Sequence, residues 1–199
     1  VFPDVADLGD YTVQSMGARV AKSVLGVATT STNYLLLRSK TDGKYYLLSF
    51  DYKMNSESSI VFTLDGFRPF PETEGFGEKS LFEVQIGGNE YIFYTAGSNN
   101  EKLYVYNILD GTSVCVYTAG ARITSLCPGV VAIPNTIVKT VYMERMLLGT
   151  EAGGLALLDI SADAVESGSL PEIGTFSGLG KVVDMDFYKA QYQGTYFGF

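Results

Sequence analysis

The chain has 199 residues, 46% hydrophobic and 13% aromatic, enough for a sizeable core in one domain or two small ones. Charged residues make up 18% of it, which argues against extended disorder. Lys and Arg number 14 against 22 Asp and Glu, and the formal charge of -8, with no long basic run, repels phosphate backbones and anionic membrane surfaces.

No apolar run approaches the roughly 20 residues of a membrane-spanning helix. The amino end carries no paired basic and apolar signal regions, and it opens on Val1, as a processed or trimmed chain would. Residues 1–10, with Pro3 and scattered acids, read as a loop or an entering strand. Residues 12–16 and 23–29 are candidate strands. A helix near 15–25 is the alternative, weakened by Gly17 and Gly26.

From Asn33 the pattern sharpens. Residues 34–38, a turn at Lys40-Thr41-Asp42-Gly43 and residues 44–51 form a predicted hairpin. Residues 59–64 supply a third strand, ended by Asp65-Gly66. Residues 67–79 then read as a long loop punctuated by Pro69, Pro71, Gly75 and Gly77. A strand over 80–86 turns at Gly87-Gly88-Asn89 into a meander of strands 91–95, 102–108 and 113–117. Alternation in its middle strand puts Leu103, Val105 and Asn107 on one face and Tyr104, Tyr106 and Ile108 on the other.

Further strands are predicted at 122–127 and 137–142, around a Pro- and Gly-marked loop at 128–134. Residues 145–150 and 155–160 form another hairpin. A polar connection over 161–171 leads to strands at 172–176 and 181–187, and the tail ends with 195–199. Three hairpins recur, starting at Tyr34, Tyr91 and Met146, 57 and then 55 residues apart. A four-stranded unit at such a period is the signature of β-propeller blades, each burying its faces against its neighbours. The expected architecture is therefore all-β, a partial β-propeller of about three to four antiparallel blades, with a β-sandwich as the alternative. Residues 1–25 would lead into or complete the first blade, 26–189 would form the blades, and 190–199 a terminal strand or tail.

Few residues suggest chemistry. The sequence has no His, which removes Ser-His-Asp and Cys-His nucleophile systems and His-based metal sites. Cys115 and Cys127 permit a disulfide, but buried free thiols in strands are the plainer reading. The glycine-rich run from Gly149 to Gly154 falls in a predicted hairpin turn rather than a phosphate cradle. Asp184 and Asp186 would share one strand face, as solvated acids or a weak Ca²⁺ contact short of the six to eight oxygens calcium takes. Tyr45, Tyr46, Tyr104 and Tyr106 are explained by cross-strand pairing. The residues selected for ligand binding are Phe67, Arg68, Phe70 and Phe76, in the loop that also holds Glu72, Glu74 and Glu78. Aromatic rings stack on apolar sugar faces while charged groups meet hydroxyls; the alternative is a small satellite core under the loop. No catalytic residues, metal ligands or cofactor are expected.

Two stretches carry a resemblance. Gly180, Lys181, Val182, Val183, Asp184 and Met185, with Tyr188 and Lys189 nearby, are similar to the "GKIVDM…YK" ending of PKD-like family lipoproteins of Bacteroidota. Those proteins are often encoded beside SusC/SusD-type glycan-uptake genes. Residues 26–50, GVATTSTNYLLLRSKTDGKYYLLSF, resemble the same family's "GVA…FLLY…DGKYYLY" hairpin. The resemblance covers residues 26–189 and omits the family's amino-terminal PKD-like region and lipobox, while residues 190–199 are additional. It implies export to the outer membrane or cell surface through a lipid anchor not present in this chain. It also implies binding of glycan or of SusC/SusD-like partners, or packing against the remaining blades of a longer chain. A carbohydrate-active hydrolase or lyase using carboxylates, and a purely structural assembly module, are the alternatives.

Overall fold

The computed structural model describes residues 8–18, 32–54, 60–71, 82–86, 89–134, 140–185, 189–192 and 195–198. Runs of alternating Leu, Val, Tyr and Phe, cut by short polar turns, form strands throughout. After a 3-10 turn at Leu8–Asp10, β1 (Tyr11–Ala18), β2 (Thr32–Ser39), β3 (Tyr45–Met54) and β4 (Ile60–Pro69) make one sheet in chain order. The second sheet contains β5 (Phe82–Ile86), β6 (Asn89–Ala96), β7 (Lys102–Asn107) and β8 (Ser113–Thr118). The third contains β9 (Ile123–Pro134), β10 (Thr140–Thr150), β11 (Leu155–Asp159) and β12 (Glu172–Phe176). A last hairpin pairs β13 (Lys189–Tyr192) with β14 (Thr195–Gly198) and lies beside β9.

Every neighbouring pair in the three large sheets is antiparallel. The first strands of successive sheets touch, β1 against β5 and β5 against β9, which is how blades stand around a propeller axis. Face-to-face packing of sheets is common to sandwiches as well; the adjacency of first strands is the propeller feature. We refer to the three sheets as blades 1, 2 and 3.

Two cores separate the blades, and the alternation in β7 assigns its faces as expected. Tyr104, Tyr106 and Ile108 look toward blade 1, among Tyr34, Leu36, Tyr45, Leu47, Phe70 and Tyr94. Leu103 and Val105 look toward blade 3, where they join Phe93, Val116, Leu126, Met146, Leu148 and Leu158. The first core is rich in rings and the second is mainly aliphatic. Tyr94, fully buried in the first, shares a hydrogen bond with the Ser113 hydroxyl, so its polar end is satisfied.

Turn chemistry follows the sequence. At Asp110-Gly111 the Asp110 carboxylate accepts the Thr112 backbone N–H at 2.8 Å and its hydroxyl at 2.6 Å. Those two bonds, the hydroxyl one foremost, hold the Asp110 carboxyl below its ordinary pKa. Asn100 closes the β6–β7 turn with φ 57°, a left-handed conformation Asn tolerates. From there its carbonyl accepts the Ile123 N–H at 3.0 Å, and its side-chain Nδ2 donates to the Ile123 carbonyl at 2.8 Å, tying blade 2 to the start of blade 3.

Four expectations are corrected. Asp65-Gly66 is a bulge rather than a strand end: the β3–β4 register slips between Ser49 and Phe50, and β4 continues to Pro69. A Cβ at Gly66 would lie 3.0 Å from the Ser49 hydroxyl oxygen, which is why a residue without one fits the bulge. The predicted loop at 128–134 belongs to β9, an edge strand, where proline is tolerated. The polar connection over 161–171 contains a short helix, α1 (Ala162–Glu166), whose Ala164 and Val165 are buried in the second core. Residues 181–185 form no strand, and Asp186 lies outside the described residues. The second predicted strand of the amino end, 23–29, also lies outside them. Cys115 and Cys127 are free thiols, half-buried and buried.

Candidate functional site

The extension of β4 separates the residues selected from the sequence as a joint binding platform. Consecutive residues on a strand point to opposite faces. Phe67 therefore looks away from blade 2 and stacks on Tyr46, with centroids 5.2 Å apart and planes 1° from parallel. Tyr11 meets both rings edge-on, at 5.6 and 5.7 Å. Arg68 points the other way and donates from Nη1 to the Ile108 carbonyl at 2.9 Å, bridging blades 1 and 2. Phe70 is 3% exposed, set between Tyr94 at 5.1 Å and Tyr106 at 4.8 Å, so it is core and not an exposed platform. Phe76 lies outside the described residues. Phe70 belongs to the core between blades 1 and 2 and not to a satellite core under a loop.

A different place gathers ligand-binding features. Blades 2 and 3 diverge at the end bearing the β10–β11 turn and leave a cleft of about 420 Å³. That size lies within the range of small-molecule sites. Its floor is Ala119, Leu148 and Ala156, and Gly120, Ala121, Ala152, Gly153 and Gly154 keep its rim low. Tyr117 and Glu172 stand on one side, and Thr175, Phe176 and Ser177 on the other strand end. The Phe176 ring is 63% exposed.

The Tyr117 hydroxyl donates to Glu172 Oε2 at 2.5 Å across the two blades. Burial, then the bond to Glu172 and its charge, push the Tyr117 pKa up to about 12. The pair joins equivalent strands, the last of each blade, at a separation of 55 residues. That is the spacing of the second and third hairpins, so the repeat held the one sequence signal capable of bringing Tyr117 and Glu172 together.

Behind the cleft the chain is notched. A Cβ on Gly149 would lie 2.5 Å from the Val182 side chain, and the Thr124 hydroxyl donates to the Val182 carbonyl at 2.6 Å. The Val182 N–H returns a bond of 3.2 Å to the Thr150 carbonyl. Residues 179–182 thus brace the β10–β11 turn that forms the cleft's rim.

Chemically, the cleft offers one carboxylate already accepting a hydrogen bond from a phenol, the Tyr117 ring and an apolar floor. Hydrolysis by a carboxylate pair needs a second acid roughly 5 to 10 Å away across the sugar bond. Glu172 is the one acid among the described residues lining the cleft. Asp184, exposed, accepts the Met185 N–H at 3.0 Å. No protein-family model and no curated protein matches this chain.

Proposed function

We propose that this protein is a non-catalytic β-propeller module, exported to the outer membrane or cell surface, that binds glycan in polysaccharide utilisation. The cleft between blades 2 and 3 carries the reading. A half-buried ring at Tyr117 and an oriented acceptor at Glu172 stand beside a floor that a sugar's apolar face can approach. Export and a lipid anchor outside these residues rest on the resemblance of residues 26–50 and 180–189 to the PKD-like lipoproteins. Calorimetry against a panel of soluble polysaccharides tests it. Saturable binding without product release is expected, weakened about tenfold or more by Tyr117→Ala. Released product would overturn the non-catalytic part and favour a hydrolase or lyase.

The face of blade 1 turned away from blade 2 favours a second reading, a structural module packing against SusC/SusD-like partners or further blades. Val13 is 57% exposed there, beside the half-buried rings of Tyr11, Tyr46 and Phe67. Light scattering decides it: a monomer that stays monomeric when mixed with the candidate partner removes this reading.

A further inference from the structure

We infer that the cleft between blades 2 and 3 selects sugars carrying a free, protonated amine over neutral and acidic sugars. The inference rests on the glycan reading above and names the ligand class for that site.

Glu172 is the single charged residue among the described residues lining the cleft, and its sign is negative. Its hydrogen-bond partner there is a neutral donor, the Tyr117 hydroxyl, which orients the carboxylate and leaves its charge in place. The bond engages Oε2, and a carboxylate has acceptor capacity for more donors than one. A ligand ammonium supplies both the extra donor and the opposite charge. A hydroxyl supplies only the donor, and a sugar carboxylate or sulfate meets like charge.

The surroundings act in the same direction. The rim and floor of Gly and Ala bring no side-chain cation to pair with an anionic sugar. The chain's net charge of -8 raises the local concentration of cationic ligands and lowers that of anionic ones.

The test is calorimetry at mildly acidic pH with glucosamine oligosaccharides, their N-acetylated counterparts and hexuronic acid oligosaccharides of equal length. Wild type is expected to bind the free-amine series roughly two- to fivefold more tightly than the acetylated one, the gain of an ion pair with an exposed carboxylate over a hydrogen bond to it. The acidic series should bind most weakly. Glu172→Gln should equalise the amine and acetylated series, whatever it does to the affinity common to both. A salt titration of the wild-type protein gives a readout that needs no variant: amine binding falls with ionic strength and acetylated binding does not. Equal wild-type affinity for the two series, or a preference that survives in Glu172→Gln, overturns the amine selection and leaves the glycan reading standing. Binding of none of the three series overturns both.

Discussion

Gly153 is a position where only one residue type fits. It sits at φ 81°, in the left-handed region, and a Cβ would collide with the Leu179 carbonyl. Gly120, on the same rim, has nothing within 4 Å of its would-be Cβ. Gly153→Ala should therefore destabilise the protein by about 1–3 kcal/mol, and Gly120→Ala by less than about 0.5 kcal/mol, in urea unfolding. Equal effects would sink the bracing role of residues 179–182. Tyr117 gives a second check at this scale. Its folded pKa of about 12 lies above the usual tyrosine value of about 10, so the native state holds this proton more tightly than the unfolded chain. The resulting stabilisation is complete below pH about 10 and is lost as pH rises through about 12, discounted because the group is partly exposed. Tyrosinate absorbance of wild type minus Tyr117→Phe should show one transition near pH 12; one at the ordinary value would mean the bond to Glu172 is not made in solution. Neither residue was legible as part of a site. Phe67, Arg68, Phe70 and Phe76 drew attention because they cluster in the chain, whereas Tyr117 and Glu172 meet only through the registration of two blades.

At the scale of elements, hairpins were legible because their turns and their alternation agree. The β7 pattern assigned Tyr104 and Tyr106 to one face and Leu103 and Val105 to the other, and the two cores divide along that line. Two strands that pass through a Gly or Pro with the composition of a turn were not legible. Asp65-Gly66 has the composition of a turn, yet the third-strand partner is long enough to carry β4 past it as a bulge. Pro128 likewise resembles a loop residue until β9 proves to be an edge, where a missing N–H breaks no ladder on its outer side. The consequence of extending β4 is that Phe70 reaches the inter-blade core. Phe70→Ala should cost about 3–5 kcal/mol, since the ring contacts Tyr94 and Tyr106 and its loss leaves a cavity between them. Chemical denaturation measures it; a loss below about 1 kcal/mol would place Phe70 outside the core.

For the whole molecule, the blades hold each other in a line, each packed on its neighbours. The core shared by blades 2 and 3 is closed by more than strands. Helix α1 and Leu170 pack into it, and the Leu170 N–H reaches the Val116 carbonyl at 3.0 Å. Blade 1 should thus open first. Native-state hydrogen exchange is expected to give lower opening free energies for amides of β2 and β3 than for those of β7 and β10, and uniform values would contradict it.

The uneven sharing of rings between the two cores also decides what the protein's own light absorption can report. With no Trp, its near-ultraviolet circular dichroism comes chiefly from ordered Tyr and Phe side chains, and Tyr34, Tyr45, Phe70, Tyr94, Tyr104 and Tyr106 all sit between blades 1 and 2. The core between blades 2 and 3 contributes fewer rings, Tyr91, Phe93 and the partly buried Tyr117. An optical melting curve would therefore weight the departure of the first blade, while a calorimeter would register every blade. A gap between the two curves would be a property of where the chromophores lie.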